Sequence, residues 1–164
     1  MFREVKMGME LVASSNAVGE SNFHIQLTPA YRQDIFWNDQ ITELTLAYIL
    51  EKLQQLKVKI LGYGFGPDHL HLFLANVRFV SEIELVRQIK GYSSYMMRKH
   101  FRELFKTKLY GKKFWSEGHF YRSVGAVNKE TMQHYVEDCQ NKHWTKKSVE
   151  PKEVVVLQKR ISEF

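Results

Sequence analysis

Only one cysteine, Cys139, occurs in the 164 residues, so no disulfide can form within the chain; such usage suits a reducing compartment. No run of about 18 apolar residues occurs, which excludes a membrane-spanning helix. Residues 1–16 carry basic side chains but no continuous apolar core of signal-peptide length, and the chain is therefore expected to be cytoplasmic. Internal repeats and low-complexity blocks are also missing. Acidic residues are in deficit: 18 Asp and Glu stand against 24 Lys and Arg, a formal charge of +6. That balance favours a polyanionic partner, because neutralised phosphates release condensed counterions. What remains is ordinary globular material, 44% hydrophobic and 26% charged, in a length that suits one domain able to bury its own core. Aromatic residues make up 13%; most belong in that core, and any left outside can stack on unpaired bases.

Residues 1–20 show no clear period and read as an N-terminal arm. Phe23, Ile25 and Leu27 then alternate with His24, Gln26 and Thr28, the pattern of a half-buried strand, which Pro29 ends. Asn38 or Asp39 caps a helix predicted over residues 40–56, with Leu46, Ile49, Leu50, Leu53 and Leu56 as its apolar stripe. Residues 58–65 and 69–75 read as two strands joined at Gly66-Pro67-Asp68. Ser81 with Glu84 forms a capping box for a long helix over 82–104. Its inner stripe is Ile83, Val86, Ile89, Met96 and Met97, and its outer one holds Arg87, Lys90, Ser94, Arg98 and Arg102. A fourth strand is expected around 119–127, and Asn128 caps a last helix over 129–141. This order predicts an α+β fold, a ferredoxin-like β-α-β-β-α-β sheet with an added C-terminal helix. The domain is expected over 21–144, followed by a charge-rich tail, 145–164.

The chemistry starts on the third strand. Its period of two puts Leu70, Leu72 and Leu74 on one face and His69 and His71 on the other, with about 7 Å between the two histidine Cα atoms. Imidazoles so placed can converge on one divalent ion and leave a position open for substrate. Two histidines standing idle on a sheet face would give the same pattern. Tyr135 is the second feature, set among candidate ligands in residues 131–140. A hydrolytic zinc site would need more ligands, and no His-x-His-x-Asp-His pattern is present.

Pro67-Asp68-His69-Leu70-His71-Leu72 resembles the histidine–hydrophobic–histidine signature of the HUH endonucleases. The chain is most similar to the single-tyrosine transposases that move insertion sequences as single-stranded DNA, and to their relatives acting on repeated palindromes. Pro29-Ala30-Tyr31-Arg32-Gln33 is similar to that family's Pro-Lys-Tyr-Arg after its first strand. Gln88-Ile89-Lys90-Gly91-Tyr92-Ser93 resembles its Leu-Lys-Gly-x-Ser stretch. Phe114-Trp115-Ser116-Glu117-Gly118-His119-Phe120-Tyr121 resembles its Trp-x-x-Ser-Tyr-Phe strand, and Tyr135-Val136-Glu137 its Tyr-Ile-Glu. Together these motifs cover most of residues 21–144.

The resemblance implies a metal-dependent DNA strand transferase and endonuclease. His69 and His71 would hold Mg²⁺ or Mn²⁺, and Tyr135 would attack the scissile phosphate, giving a 5′-phosphotyrosine link and a free 3′-hydroxyl without ATP. It further implies a homodimer in which the tyrosine helix of one protomer completes the histidine pair of the other. Single-stranded DNA, with hairpins at the element ends, would be the partner. One departure stands out. The family places a ligating glutamine four residues after the tyrosine, where this chain has Cys139; Gln140 follows at five, about 140° round a regular helix from Tyr135. Gln140 is the expected third ligand, Asp138 the alternative as a hard-oxygen donor, and Cys139 would suit softer metals. DNA contacts are expected from Arg87, Lys90, Arg98 and Arg102 on the long helix and Arg122 on the fourth strand. The competing readings are a replication initiator or relaxase-type nickase, and a non-catalytic nucleic-acid-binding module on a ferredoxin-like sheet. Initiators and relaxases usually sit in longer chains with a third histidine. A binding module needs exposed aromatics where His69 and His71 stand.

Overall fold

The computed structural model describes residues 12–14, 17–75, 77–125 and 147–149. Inside the stretch read as an arm, β1 (Val12–Ser14) and β2 (Ala17–Gly19) pair antiparallel in a small sheet of their own. The main sheet has five strands: β3 (Asn22–Leu27), β4 (Lys59–Gly66), β5 (His69–Ala75), β6 (Phe120–Val124) and β7 (Lys147–Val149). Their order is β6-β3-β5-β4-β7, with every pairing antiparallel. Helix α1 (Asp39–Gln55) connects β3 to β4, and α2 (Glu82–Phe101) leads from β5 towards β6. The first four strands with these helices make the predicted ferredoxin-like α+β order. β7 adds a strand outside β4, from the stretch read as a tail, where three residues are too few for a period-two signal.

The alternation on β5 decides which face the helices cover. Leu70, Leu72 and Leu74 are fully buried in one cluster with Ile25, Leu27, Ile49, Leu53, Leu85 and Ile89. Each such side chain contributes about 1.5–3 kcal/mol on leaving water. On β4 the inward residues are Ile60, Tyr63 and Phe65, which no uninterrupted period of two allows. A bulge resolves this: Ile60 pairs with Leu74 but Gly62 with Phe73, so Leu61 is the extra residue that turns the strand over.

The helix ends follow local chemistry. The Asn38 side chain accepts from the N–H groups of Gln40 (2.9 Å) and Ile41 (3.3 Å), which selects Asn38 over Asp39 as the cap of α1. At the other end Lys57, with φ 56°, takes the left-handed position usual for glycine. Lys57 N–H then bonds Gln54 O (3.1 Å) and Val58 N–H bonds Leu53 O (3.0 Å), which closes the helix. On α2 the inner row is Leu85, Val86, Ile89, Ser93 and Met97. Ile83, expected inward, is 67% exposed: it stands about 200° round the helix from Leu85, where the buried row begins. Met96, also expected inward, is only half-buried. Among the described residues no helix is long and apolar enough to cross a membrane.

Candidate active site

Period two carries His69, His71 and Phe73 to the face of β5 away from the leucines, and that face is buried as well. His69 is 1% exposed, His71 4% and, across the ladder on β3, His24 5%. The half-buried strand expected at β3 is therefore covered on both faces around His24. The His69 and His71 rings stand 5.0 Å apart between centroids and 81° to each other.

Each ring is oriented through Nδ1. His69 Nδ1 lies 2.8 Å from Asp68 Oδ1, while Asp68 Oδ2 accepts from Arg32 Nε at 3.1 Å. Burial pushes the Asp68 carboxyl up, but the hydrogen bond with His69 and the charges of His69 and Arg32 outweigh it, so Asp68 stays below its ordinary range. Arg32 reaches Asp68 from an unusual backbone: Tyr31 (φ 59°) and Arg32 (φ 51°) are both left-handed, at a cost on the order of 1 kcal/mol or more each.

His71 Nδ1 lies 2.9 Å from His24 Nε2. Burial first, and the Arg122 charge second, lower the His24 pKa to about 4. Arg122 is the cross-strand partner of His24 on β6, and Phe73 stacks on the His24 ring at 4.6 Å and 7°. His24 is thus neutral near pH 7, and the bond needs one hydrogen from the pair. A His71 that ligates through Nε2 carries its hydrogen on Nδ1 and donates it to His24.

These contacts decide how the pair fits a metal. With both Nδ1 atoms engaged, a metal would be met through Nε2 of each ring, the arrangement in which a carboxylate or a second imidazole fixes a metal-bound histidine. The turn leaves room for the first ring. Gly66 pairs with His69 across the hairpin, and a Cβ there would fall 2.1 Å from His69 Cε1. Two imidazoles fit a divalent ion, and oxygen donors would complete the set for Mg²⁺ or Mn²⁺. Among the described residues no third His, Cys, Asp or Glu joins them. Tyr135, Asp138, Cys139 and Gln140 lie outside the described residues.

The basic residues divide into two groups. Lys90 Nζ donates to the carbonyls of Ser116 (2.9 Å), Glu117 (3.0 Å) and Gly118 (2.8 Å), and Arg98 Nη2 donates to Lys113 O. These two clamp α2 to the segment that leads into β6. Trp115 Nε1 adds to the clamp by donating to Ser93 Oγ (2.8 Å). Arg87, Arg102 and Arg122 are exposed, with Arg87 held by two bonds to Glu84 (2.7 and 2.8 Å). Of the five, Arg122 is the one whose register places it beside the histidines.

His24, Asp68, Arg32 and Gly66 are absent from the set expected from sequence. Asp68 and Gly66 read there as turn residues and His24 as the polar phase of a strand. The available signal was strand pairing: once β3 lies beside β5, His24 shares the face of His71.

Residues 17–139 match the family described as "Transposase IS200 like". The chain is 31% identical over 115 residues to the transposase for insertion sequence element IS200 of Salmonella typhimurium and, to the same degree, to that of Salmonella typhi; each match covers 70% of this chain and 73% of the relative. A crystal structure of a candidate transposase from Deinococcus radiodurans R1 superimposes with a TM-score of 0.63, over 78% of this chain and 97% of that one, at 19% identity. That likeness is one of fold. A paired-histidine face on a ferredoxin-like sheet, in a sequence so matched, is that of a DNA strand transferase. The chain belongs to the IS200-like transposase family.

Proposed function

We propose that this chain is a single-strand DNA transposase that cleaves and rejoins DNA at insertion-sequence ends through a 5′-phosphotyrosine intermediate on Tyr135. The observation that carries the reading is the buried His69–His71 pair, each ring held through Nδ1. Asp68, backed by Arg32, and His24, backed by Phe73, orient the two imidazoles through Nδ1. A Mg²⁺ or Mn²⁺ ion on the pair would draw charge from the scissile phosphate.

Tyr135 Oη forms a bond to phosphorus as the bond to the 3′-oxygen breaks, and that oxygen leaves as a 3′-hydroxyl. A free tyrosine phenol titrates near pH 10, so the proton on Tyr135 must pass to a base or to solvent during attack. Because a phosphodiester is exchanged for a phosphodiester, rejoining needs no ATP. Gln140 completes the ligand set, with Asp138 as the alternative. Arg87, Arg102 and Arg122 meet phosphates, while Lys90 and Arg98 hold the segment before β6. The working form is a homodimer in which Tyr135 of one protomer serves the histidine pair of the other, acting on hairpin-bearing single strands.

Labelled single-stranded DNA incubated with the protein and Mg²⁺ should yield a covalent adduct on a denaturing gel. Tyr135→Phe should abolish the adduct, and His69→Ala or His71→Ala should abolish cleavage and Mn²⁺ binding in calorimetry. An adduct that survives Tyr135→Phe sinks the nucleophile assignment. Co-expressed His69→Ala and Tyr135→Phe protomers should regain up to about half the wild-type sites by the two-fold symmetry count. Verified heterodimers without activity would refute the shared site.

A further inference from the structure

Tyr31 and Tyr110 stand outside the core at 68% and 77% exposure. Their rings are nearly parallel, 11° apart, with centroids 6.4 Å from each other. One planar base between two rings needs about 6.8 Å, twice the 3.4 Å stacking step of nucleic acid, so the exposed pair must open by at least about 0.4 Å to admit one. The loop that carries Tyr31 is fixed to the segment that follows Tyr110. Ala30 N–H bonds Phe114 O (2.9 Å), Ser116 N–H bonds Thr28 O (2.9 Å), and Pro29 bridges to Trp115. The two consecutive left-handed residues, Tyr31 and Arg32, send their exposed side chains different ways: Tyr31 goes to solvent and Arg32 to Asp68, which holds His69. The exposed Lys112 and Lys113 follow Tyr110 and line a groove of about 450 Å³ that runs along α2 past Arg87.

We propose that Tyr31 and Tyr110 form a stacking site for one unpaired base of the single strand. It rests on the transposase reading and adds a residue-level contact to it. A strand held there by one base passes Tyr110, two residues before Lys112. Its backbone then continues over the Lys112–Lys113 edge into the groove. Stacking on an aromatic face tolerates any base and fails on a paired one, so the site selects single strands without reading sequence.

The test uses the full-length protein and a 12-nucleotide single strand carrying one 5-iodouracil. Irradiation of the wild type should cross-link the base to Tyr31 or Tyr110, located by peptide mass spectrometry. Cross-links found only elsewhere overturn the proposal, and this arm needs no variant to fold. Tyr31→Ala and Tyr110→Ala should each weaken single-strand binding by about 5- to 100-fold. Neither should alter the slope of log affinity against log salt, since no phosphate contact is lost. Phenylalanine at either position should restore affinity, and binding to a blunt duplex should not change. Alanine variants that bind single strands like the wild type overturn the proposal, as does a weakening matched by a fall in melting temperature. A wild type that forms the Tyr135 adduct while both alanine variants bind normally refutes the stacking site alone. A wild type that forms no adduct but cross-links at Tyr31 refutes the transposase reading alone.

Discussion

Gly66→Ala isolates the dependence of the histidine pair on the turn. A Cβ at this position would lie 2.1, 2.5 and 2.6 Å from Cε1, Nε2 and Nδ1 of His69. No described glycine has a positive φ, so the substitution adds a methyl group without asking the backbone for a conformation alanine resists. The His69 ring would have to retreat by about 1.3 Å to regain ordinary contact at 3.4 Å. It has nowhere free to go, being 1% exposed and tied to Asp68 at 2.8 Å. Overpacking of this kind costs about 1–3 kcal/mol. For a chain of this size each kcal/mol moves the melting temperature by about 2–4 °C, so a fall of about 2–12 °C is expected. The displaced ring also loses its aim, and Mn²⁺ affinity should drop about tenfold or more, as when an orienting partner is removed. Calorimetric titration with Mn²⁺ and a thermal melt read the two effects separately. Gly91→Ala is the control: its Cβ would meet nothing within 4 Å, and removing a helix-interior glycine should stabilise by about 0.5–1 kcal/mol. If Gly66→Ala melts within 1 °C of the wild type and binds Mn²⁺ within twofold, the crowding argument is wrong.

Two further predictions concern the supports of the site. His24 has a pKa of about 4 when folded against 6.5 in its ordinary state. Between these values the unfolded chain binds a proton that the folded chain refuses, so stability falls as pH drops from 6.5 to 4, by at most about 3 kcal/mol. Urea midpoints at pH 7 and pH 4.5 should show this decline. His24→Phe should flatten it, and an unchanged slope would clear His24 of the role. Lys90→Met should cost about 1–3 kcal/mol in urea unfolding, because three carbonyls lose their donor. Arg87→Met should stay within about 0.5 kcal/mol, its ion pair being exposed. A Lys90→Met protein as stable as the wild type, with weaker DNA binding, would make Lys90 a phosphate ligand instead.

Much of the fold was legible because its signals are local. The leucine phase of β5, the Asn38 and Ser81 caps and the Gly66-Pro67-Asp68 turn each act over a few residues, and each appears where its pattern lies. The same period of two set His69 and His71 apart from the leucines, so the heart of the candidate site was readable from seven consecutive residues. Ile83 shows the limit of this kind of reading: a helical stripe can be started one residue row too early, and only the partner surface decides where burial begins.

By itself, then, the sequence determined the order of the four central strands and the two helices between them, the core phase of β5, the positive charge and the histidine pair, because sterics and solvation act on neighbours along the chain. Tertiary structure alone decided what surrounds that pair. Strand pairing brings His24 to His71 across 47 residues and Arg122 to His24 across the next ladder. A left-handed turn sends Arg32 to Asp68, and a bulge at Leu61 turns β4 so that both Ile60 and Phe65 face the core. The second face of the sheet becomes buried, which turns polar-phase histidines into oriented groups and keeps His24 neutral. Such contacts depend on register between distant segments, and register is an energy of the assembled sheet that no single stretch of sequence contains.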